Sequence, residues 1–268
     1  MQLPVSLADK KQNLERIIGR EQRVAVACSG GVDSTLLLKV TRDVLGHENT
    51  IAVFADTPLL PPGESHAVRE LADLVGSRLL TVNLDPLAWP EFTANPLERC
   101  YLCKKKIYQT FLDKLAALNF MVLMDGTNLD DLSDFRPGLK ALDELTIKKP
   151  LAKAGFTKKE IRQLSRKLNL PNWNKHSSSC LATRIGTDQK ITQEKLDLIR
   201  RCEDVLHEFG FMGCRLRIVN GSAIIELLEE DIERFVQEET RQPILKKFND
   251  FNMGRVFLSM TGRKGILL

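Results

Sequence analysis

The sequence predicts an α/β fold, a doubly wound, mostly parallel sheet followed by a smaller C-terminal α+β domain. Three observations carry this. Short apolar runs alternate with helix-length amphipathic segments, the pattern of βαβ units with right-handed crossovers. A glycine-bearing turn, Ser29-Gly30-Gly31-Val32-Asp33-Ser34, joins the first apolar run to a helix-like segment, where such a sheet carries a ligand-binding loop. Beyond a polar, irregular stretch over residues 171–188, the pattern changes to a long helix and a hairpin signalled by Asn220-Gly221. The expected domains are residues 1–175 and 176–268.

The elements follow in order. Residues 3–20 form a leading amphipathic helix, with Leu7, Leu14, Ile17 and Ile18 on one stripe. Val24-Ala25-Val26-Ala27 is a buried strand, and Thr35-Leu36-Leu37-Leu38-Lys39-Val40 is the helix beyond the turn. Thr50-Ile51-Ala52-Val53-Phe54 is the second strand, ended by Pro58 and Pro61-Pro62-Gly63. Pro62 and Glu64 suit the start of a helix reaching Val75. Leu79-Leu80-Thr81-Val82-Asn83 is the third strand. A loop over residues 85–99 leads to Cys100-Tyr101-Leu102-Cys103-Lys104-Lys105-Lys106 and a helix to 118. Residues 120–124 are the fourth strand, and Gly126 at its end falls on the same sheet edge as the glycine turn. Residues 130–138 read as a surface loop, and Lys149-Pro150-Leu151 as a short strand. Thr157 and Glu160 form a capping box for a helix to 168. Then come a helix over 192–209 capped by Thr192, strands over 214–219 and 223–227, helices through Phe235 and Leu245, and a last strand over 256–260.

Of the 268 residues, 43% are hydrophobic and 28% charged, the mix of a soluble globular protein. No apolar run is long enough to span a membrane. The N-terminus lacks the basic start and apolar core of a secretory signal, so a cytoplasmic location is expected. The net charge of +4 is too mild to call for a nucleic-acid partner. In a reducing compartment, six cysteines point to metal binding or catalysis rather than a disulfide framework.

The glycine turn has the chemistry of a phosphate site. Gly30 and Gly31 let backbone approach a ligand, and the helix start offers free N–H groups and positive partial charge. The hydroxyls of Ser29, Ser34 and Thr35 can add donors. Asp33 beside phosphates calls for a bridging cation such as Mg²⁺. The turn lacks the Gly-Lys-Ser/Thr of a Walker loop. Cys100 and Cys103 share a helix face, and Cys180 lies in a polar loop. Three thiolates without a fourth fit a [4Fe-4S] cluster with one open iron, while zinc with His176 and unliganded thiols stay open as alternatives. Cys28, Cys202 and Cys214 read as core residues, and Trp89 and Trp173 as packing residues. Lys104, Lys105 and Lys106 either lower the thiol pKa values or form a solvated helix start. Arg215 and Arg217 alternate along a strand, so both point to one face and can clamp a phosphate, with a solvated strand face as the alternative. Glu203 on the preceding helix can orient the substrate or an arginine, or it is a merely exposed helix acid.

At Ser29 to Ser34 the sequence resembles the PP-loop ATP pyrophosphatases. Nearly the whole chain resembles the LarE family of sulfur transferases, which serve the nickel-pincer cofactor of lactate racemase. The likeness rests on that loop, on Arg136-Pro137-Gly138-Leu139-Lys140-Ala141, on Asn172-Trp173-Asn174-Lys175, and on Glu203, Arg215 and Arg217. The resemblance implies an enzyme that cleaves ATP to AMP and pyrophosphate. It adenylylates a carboxylate of pyridinium-3,5-biscarboxylic acid mononucleotide, and sulfur then displaces AMP to leave a thiocarboxylate. It implies ATP contacts at Ser29, Gly30, Gly31, Asp33, Ser34 and Gly126. Catalytic roles are implied for Asp33, Glu203 and Cys180, and phosphate contacts for Arg215 and Arg217. Cys100, Cys103 and Cys180 correspond to members that carry a [4Fe-4S] cluster, whereas other members sacrifice a cysteine sulfur near Cys180. A homo-oligomer is also implied. A tRNA 2-thiolation enzyme, an amide-forming PP-loop synthetase and a non-catalytic nucleotide sensor remain as alternatives.

Overall fold

A computed structural model describes residues 6–133, 137–176 and 179–263. In chain order the elements are α1 (Leu7–Ile18), β1 (Val24–Ala27), α2 (Val32–Leu45), β2 (Thr50–Asp56), α3 (Glu64–Val75), β3 (Arg78–Asn83), α4 (Pro90–Thr93), α5 (Arg99–Ala116), β4 (Val122–Met124), α6 (Pro137–Glu144), α7 (Pro150–Lys153), α8 (Lys158–Lys167), α9 (Gln193–Glu208), β5 (Arg215–Val219), β6 (Ser222–Glu226), α10 (Ile232–Val236), α11 (Glu238–Asp250) and β7 (Val256–Leu258).

The first sheet is parallel, in the order β3-β2-β1-β4. The chain builds outward from β1 to β3 and then returns to the other side of β1. The switch point therefore lies between β1 and β4, and a crevice opens there at the carboxyl ends of the strands. All four residues of β1 are buried, as a strand covered on both faces requires. Val24 and Val26 pack with Leu36, Leu37 and Phe156 on one face. Ala25 and Ala27 pack with Tyr108, Phe111 and Leu115 on the other. This alternation sets α1, α2 and α8 on one side of the sheet and α5 and α6 on the other.

The second sheet has the order β5-β6-β7, with β5–β6 antiparallel and β6–β7 parallel. Its hairpin turn is Asn220-Gly221, both at positive φ (49° and 75°), the twist that a two-residue hairpin favours. Leu216, Ile218 and Ile225 pack there with Ile199 and Phe248. Leu59 and Phe92 from the preceding region enter the same core.

The capping box of Thr157 and Glu160 forms, and Thr192 caps α9 through the amide of Lys195. Four expectations change. Residues 130–138 are not plain loop: a 3₁₀ turn spans Asp130–Leu132 and α6 begins at Pro137. Lys149-Pro150-Leu151 is not a strand: Lys148 makes a single bridge to Met124, and Pro150 opens the one-turn α7, where its missing N–H has no partner to lose. The segment 85–99 is not plain loop. It holds a 3₁₀ turn at Pro86–Ala88 and α4, because Phe92 is drawn into the second core at 1% exposure. The fourth and last strands are shorter than expected, three residues each. Arg136, part of one motif noted above, lies outside the described residues.

Candidate functional site

The turn after β1 is held open by its own side chains. Gly30 sits at φ 71°, a conformation that suits only glycine here. The Ser34 hydroxyl accepts from Ser29 N at 3.2 Å and donates to Gly31 O at 3.1 Å, and the Thr35 hydroxyl donates to the same carbonyl at 3.0 Å. These two hydroxyls therefore shape the loop rather than supplement its donors. Asn172 Nδ2 donates to Gly30 O at 3.2 Å and to Thr35 Oγ1 at 2.9 Å, and Lys175 Nζ reaches Gly30 O at 3.3 Å. This is the physical reason for the Asn172-Trp173-Asn174-Lys175 run. Trp173 carries the Arg166 guanidinium over its ring at 4.9 Å, and Trp89 carries Lys106 at 4.5 Å, packing roles in both cases.

Gly126 closes on this loop from the end of β4. A Cβ there would stand 2.8 Å from Ser34 N and 3.1 Å from Ser34 Cα, so no side chain fits. The N–H groups at the start of α2 thus face a crevice with backbone on both sides. Asp33 lies in the first turn of α2. Its carboxylate accepts from Asn128 Nδ2 at 3.2 Å and pairs with Lys158 at the start of α8.

A cleft of about 930 Å³ opens above the loop. Ser29, Asp33, Ser34, Gly126, Cys100, Cys180 and Arg215 all line it. Pro137, Gly138 and Leu139, three of the five described residues of the Arg136–Ala141 motif, form part of its wall. Cys28 lines the cleft as well while packing against the core of the sheet; burial pushes its thiol up to about 12. Cys202 and Cys214 are core residues, at 0% and 4% exposure. A polar basin of about 640 Å³ on the other side of Asp33 adds Lys158, Lys175 and His176.

Cys100 is exposed at the first turn of α5, and Cys103 and Cys180 are half-buried beside it. Burial pushes the Cys103 thiol up to about 12, with Cys180 and Cys100 adding to the rise and Arg99 opposing it. Burial raises Cys180 too, again against Arg99. The three thiols thus lie within each other's field. The cations that act on them are Arg99 and, at Cys180, Arg184, not Lys104, Lys105 or Lys106. Lys105 pairs with Glu144 at 2.7 Å, and Lys106 with Glu91 at 3.1 Å. Only Lys104 turns into the cleft, 3.4 Å from Asp125. Burial would raise the Asp125 carboxyl, but Lys104, Thr127 and Tyr108 together hold it below its ordinary value. Among the described residues no three His, Cys, Asp or Glu side chains are drawn in close enough to hold a single metal ion. His176 packs against Gly213 and is absent from the cleft wall beside the thiols, so a zinc site through it finds no support. Cys100 and Cys180 line the open cleft, and Cys103 is half-buried against the second core beside them, a thiol donor set of the kind that ligates a cluster wider than one ion.

Arg215 and Arg217 occupy the same face of β5, and Leu216 and Ile218 the buried face. Only Arg215 lines the cleft. Burial, with Arg263 and Arg184 nearby and Glu226 opposing them, lowers its guanidinium to about 10. Arg217 Nε approaches Glu226 Oε1 at 2.7 Å, off the hydrogen-bonding direction, and that pair stands apart from the cleft lining. Glu203 is 5% exposed and pairs with Arg184, itself 4% exposed, through Nε at 3.0 Å. Glu203 Oε1 also accepts from Leu216 N at 2.9 Å, and Arg184 Nη1 donates to Ser179 O at 2.5 Å and Cys180 O at 3.2 Å. Glu203 thus reaches an arginine, one of its two expected partners, and through it links β5 to the Cys180 segment.

Sequence reasoning missed Lys158, Asn128, Arg99 and Arg263. Lys158 follows the Thr157 cap, so its place at a helix start was readable; its pairing with Asp33 was not. No helix among the described residues is long and apolar enough to cross a membrane.

No protein-family model matches the chain. It is 38% identical over 256 residues to the uncharacterized protein slr1717 of Synechocystis sp., covering 96% of this chain and 95% of that protein. It is 36% identical over 231 residues to the pyridinium-3,5-bisthiocarboxylic acid mononucleotide synthase of Lactiplantibacillus plantarum, covering 86% and 84%. A more distant match, 27% over 217 residues, is to one of the subunits of the glutamine-hydrolyzing GMP synthase of Saccharolobus islandicus, covering 73% of this chain and 57% of that one. With the loop geometry and near-full-length identity to the first two relatives, the chain belongs to their family and is an ATP-using enzyme of the PP-loop ATP pyrophosphatase superfamily.

Proposed function

We propose that the protein is an ATP-dependent sulfur transferase that converts carboxylates of pyridinium-3,5-biscarboxylic acid mononucleotide into thiocarboxylates, for the nickel-pincer cofactor. The observation that carries this reading is one cleft onto which the phosphate loop, Cys100, Cys180 and Arg215 all open. The activity named for the Lactiplantibacillus relative is of the same kind.

The amides at the start of α2 bind the α-phosphate of ATP beside Gly126. A substrate carboxylate oxygen attacks the α-phosphorus, the bond to the β-phosphate breaks, and pyrophosphate leaves. Ser29, Gly30, Gly31 and Ser34 shape that contact. Asp33, held by Asn128 and Lys158, is the residue to hold Mg²⁺, which supplies positive charge to the departing phosphates. Lys158 and Lys175 border the basin on the leaving side. Arg215, with Arg263 near it and Arg217 further along the strand, takes the substrate phosphate. A sulfur nucleophile then adds to the acyl adenylate, and AMP leaves. Cys180 borders the cleft where that sulfur is needed, and Glu203 serves it through Arg184. Cys100, Cys103 and Cys180 would hold a [4Fe-4S] cluster, which supplies an iron open to sulfide and makes the donor reusable. The chain works in the cytoplasm as a homo-oligomer.

Phosphorus NMR of the reaction with ATP, Mg²⁺ and the mononucleotide tests this, together with mass spectrometry for exchange of oxygen by sulfur. AMP, pyrophosphate and a thiocarboxylate are expected. ADP with orthophosphate, an amide product formed from ammonia, or 2-thiolated tRNA as the product each overturns the reading. Dehydroalanine at Cys180 after one turnover keeps the transfer and removes the cluster.

A further inference from the structure

The Cys-x-x-Cys spacing fixes Cys100 against Cys103 but says nothing about Cys180, which arrives from a distant part of the chain. A buried polar node joins the two segments. Asn95 is fully buried and left-handed, at φ 61°. Its Nδ2 donates to Gly186 O at 2.6 Å, Gln189 O at 3.0 Å and Ile185 O at 3.4 Å. Its own carbonyl accepts from Asp188 N at 2.9 Å. Its Oδ1 accepts from Arg99 Nη1, and that nitrogen also donates to Ala182 O at 3.1 Å. Arg99 Nη2 lies 3.6 Å from Cys100 Sγ. Apart from the Asn95 backbone amide, which donates to Phe92 O at 3.0 Å, the bonds of the node run to the first turn of α5 or to residues 182–189 beyond Cys180. A buried asparagine whose side-chain amide and backbone groups are all paired specifies one arrangement, because any slip strands a donor or acceptor.

We propose that Asn95 and Arg99 are positioning residues that lock the Cys180 segment in register with the first turn of α5, so that the three thiols face one another before anything binds between them. The use of that register rests on the sulfur-transfer reading above; the register itself does not. Arg99 is suited to the task because its planar fork reaches Asn95 and Ala182 with one nitrogen and the thiol side with the other.

The test uses metal-free, reduced protein treated with diamide, which takes up the two electrons and two protons of disulfide formation. Peptide mass mapping then reports how much Cys180 is linked to Cys100 or Cys103, relative to the Cys100–Cys103 disulfide. The parent protein should show Cys180-linked species. Arg99→Met should cut their share roughly tenfold, the scale of a lost hydrogen bond to a charged group. Arg99→Lys keeps the charge without the fork and should fall similarly. A parental share in Arg99→Met, or full rescue by Arg99→Lys, overturns the proposal. Should Arg99→Met not fold, the parent decides alone: Cys180 left unlinked while Cys100 and Cys103 pair defeats the claim that the thiols are preset. Iron analysis of anaerobically reconstituted parent is read separately. Absence of iron there defeats the cluster reading, and a parental disulfide map in the variants defeats the register.

Discussion

Replacing Glu203 by Gln separates two roles for this carboxylate. In the structure it is buried against Arg184, with contacts of 3.0 Å and 3.4 Å, and accepts from Leu216 N at 2.9 Å. Gln has the same shape, so no cavity forms, and its amide oxygen can still accept from Leu216. What disappears is the negative charge. Removing one partner of a buried pair costs about 3–5 kcal/mol. The retained backbone bond returns about 1 kcal/mol of that, leaving a loss of about 2–4 kcal/mol. The carbonyls of Ser179 and Cys180 still bind Arg184, which favours the lower end. At about 2–4 °C per kcal/mol for a chain of this size class, Tm should fall roughly 5–15 °C. The assay is thermal unfolding followed by circular dichroism, with Arg184→Met, Glu203→Leu and Arg184→Met/Glu203→Leu forming a double-mutant cycle beside Glu203→Gln. The double variant loses the hydrogen bonds but buries no orphan charge. Its destabilisation should be less than the sum of the single variants by about 1–3 kcal/mol. A Glu203→Gln protein that melts within about a degree of the parent and shows only a raised KM refutes the reasoning, and would mean that the carboxylate meets substrate.

Three further outcomes follow. Gly126→Ala places a methyl 2.8 Å from Ser34 N, so the loop must shift; ATP–pyrophosphate exchange should drop by at least about tenfold, one lost backbone contact to a charged group, while the far-ultraviolet spectrum stays parental. Asp125 has a depressed folded-state pKa, so its contribution is present above the unfolded value near about 4 and is lost as pH falls through the folded value. Urea midpoints measured through the acid range should therefore fall more steeply for the parent than for Asp125→Asn, and parallel curves would count against an ionised Asp125. Arg215→Ala should weaken mononucleotide binding roughly ten- to a hundredfold by calorimetry, the value of a buried charge-assisted contact, while Arg217→Ala, already paired with Glu226, should change it less; equal losses would put both arginines on the phosphate.

The alternating pattern and the glycine turn made the parallel sheet legible, because each rests on a local rule: burial on both faces of a strand, and a conformation only Gly30 adopts without strain. Capping at Thr157 and Thr192 and the Asn220-Gly221 hairpin were legible for the same reason. The misreadings came where tertiary packing overrode a local signal. Lys149-Pro150-Leu151 read as a short strand, but the chain makes only one bridge, Lys148 to Met124, before turning into α7. The segment before α5 looked like loop because Phe92 finds its core only across the molecule.

Partner choice within the site could not be read from spacing. Arg215 and Arg217 are equivalent in sequence and on their strand, and the difference comes from Glu226, which strand pairing places opposite Arg215 while its side chain reaches Arg217. Lys104, Lys105 and Lys106 are equally consecutive, yet helical rotation sends only the first toward Asp125 and the cleft. The charge beside Cys100 belongs instead to Arg99, one residue before the motif, held there by a buried asparagine that the sequence gives no reason to single out. In each case residue type was visible and direction was not. Direction is set by which neighbour can satisfy a charge that burial has made expensive to leave alone. That is why the buried polar contacts of this site, more than its loop, determine which of the candidate residues can act together.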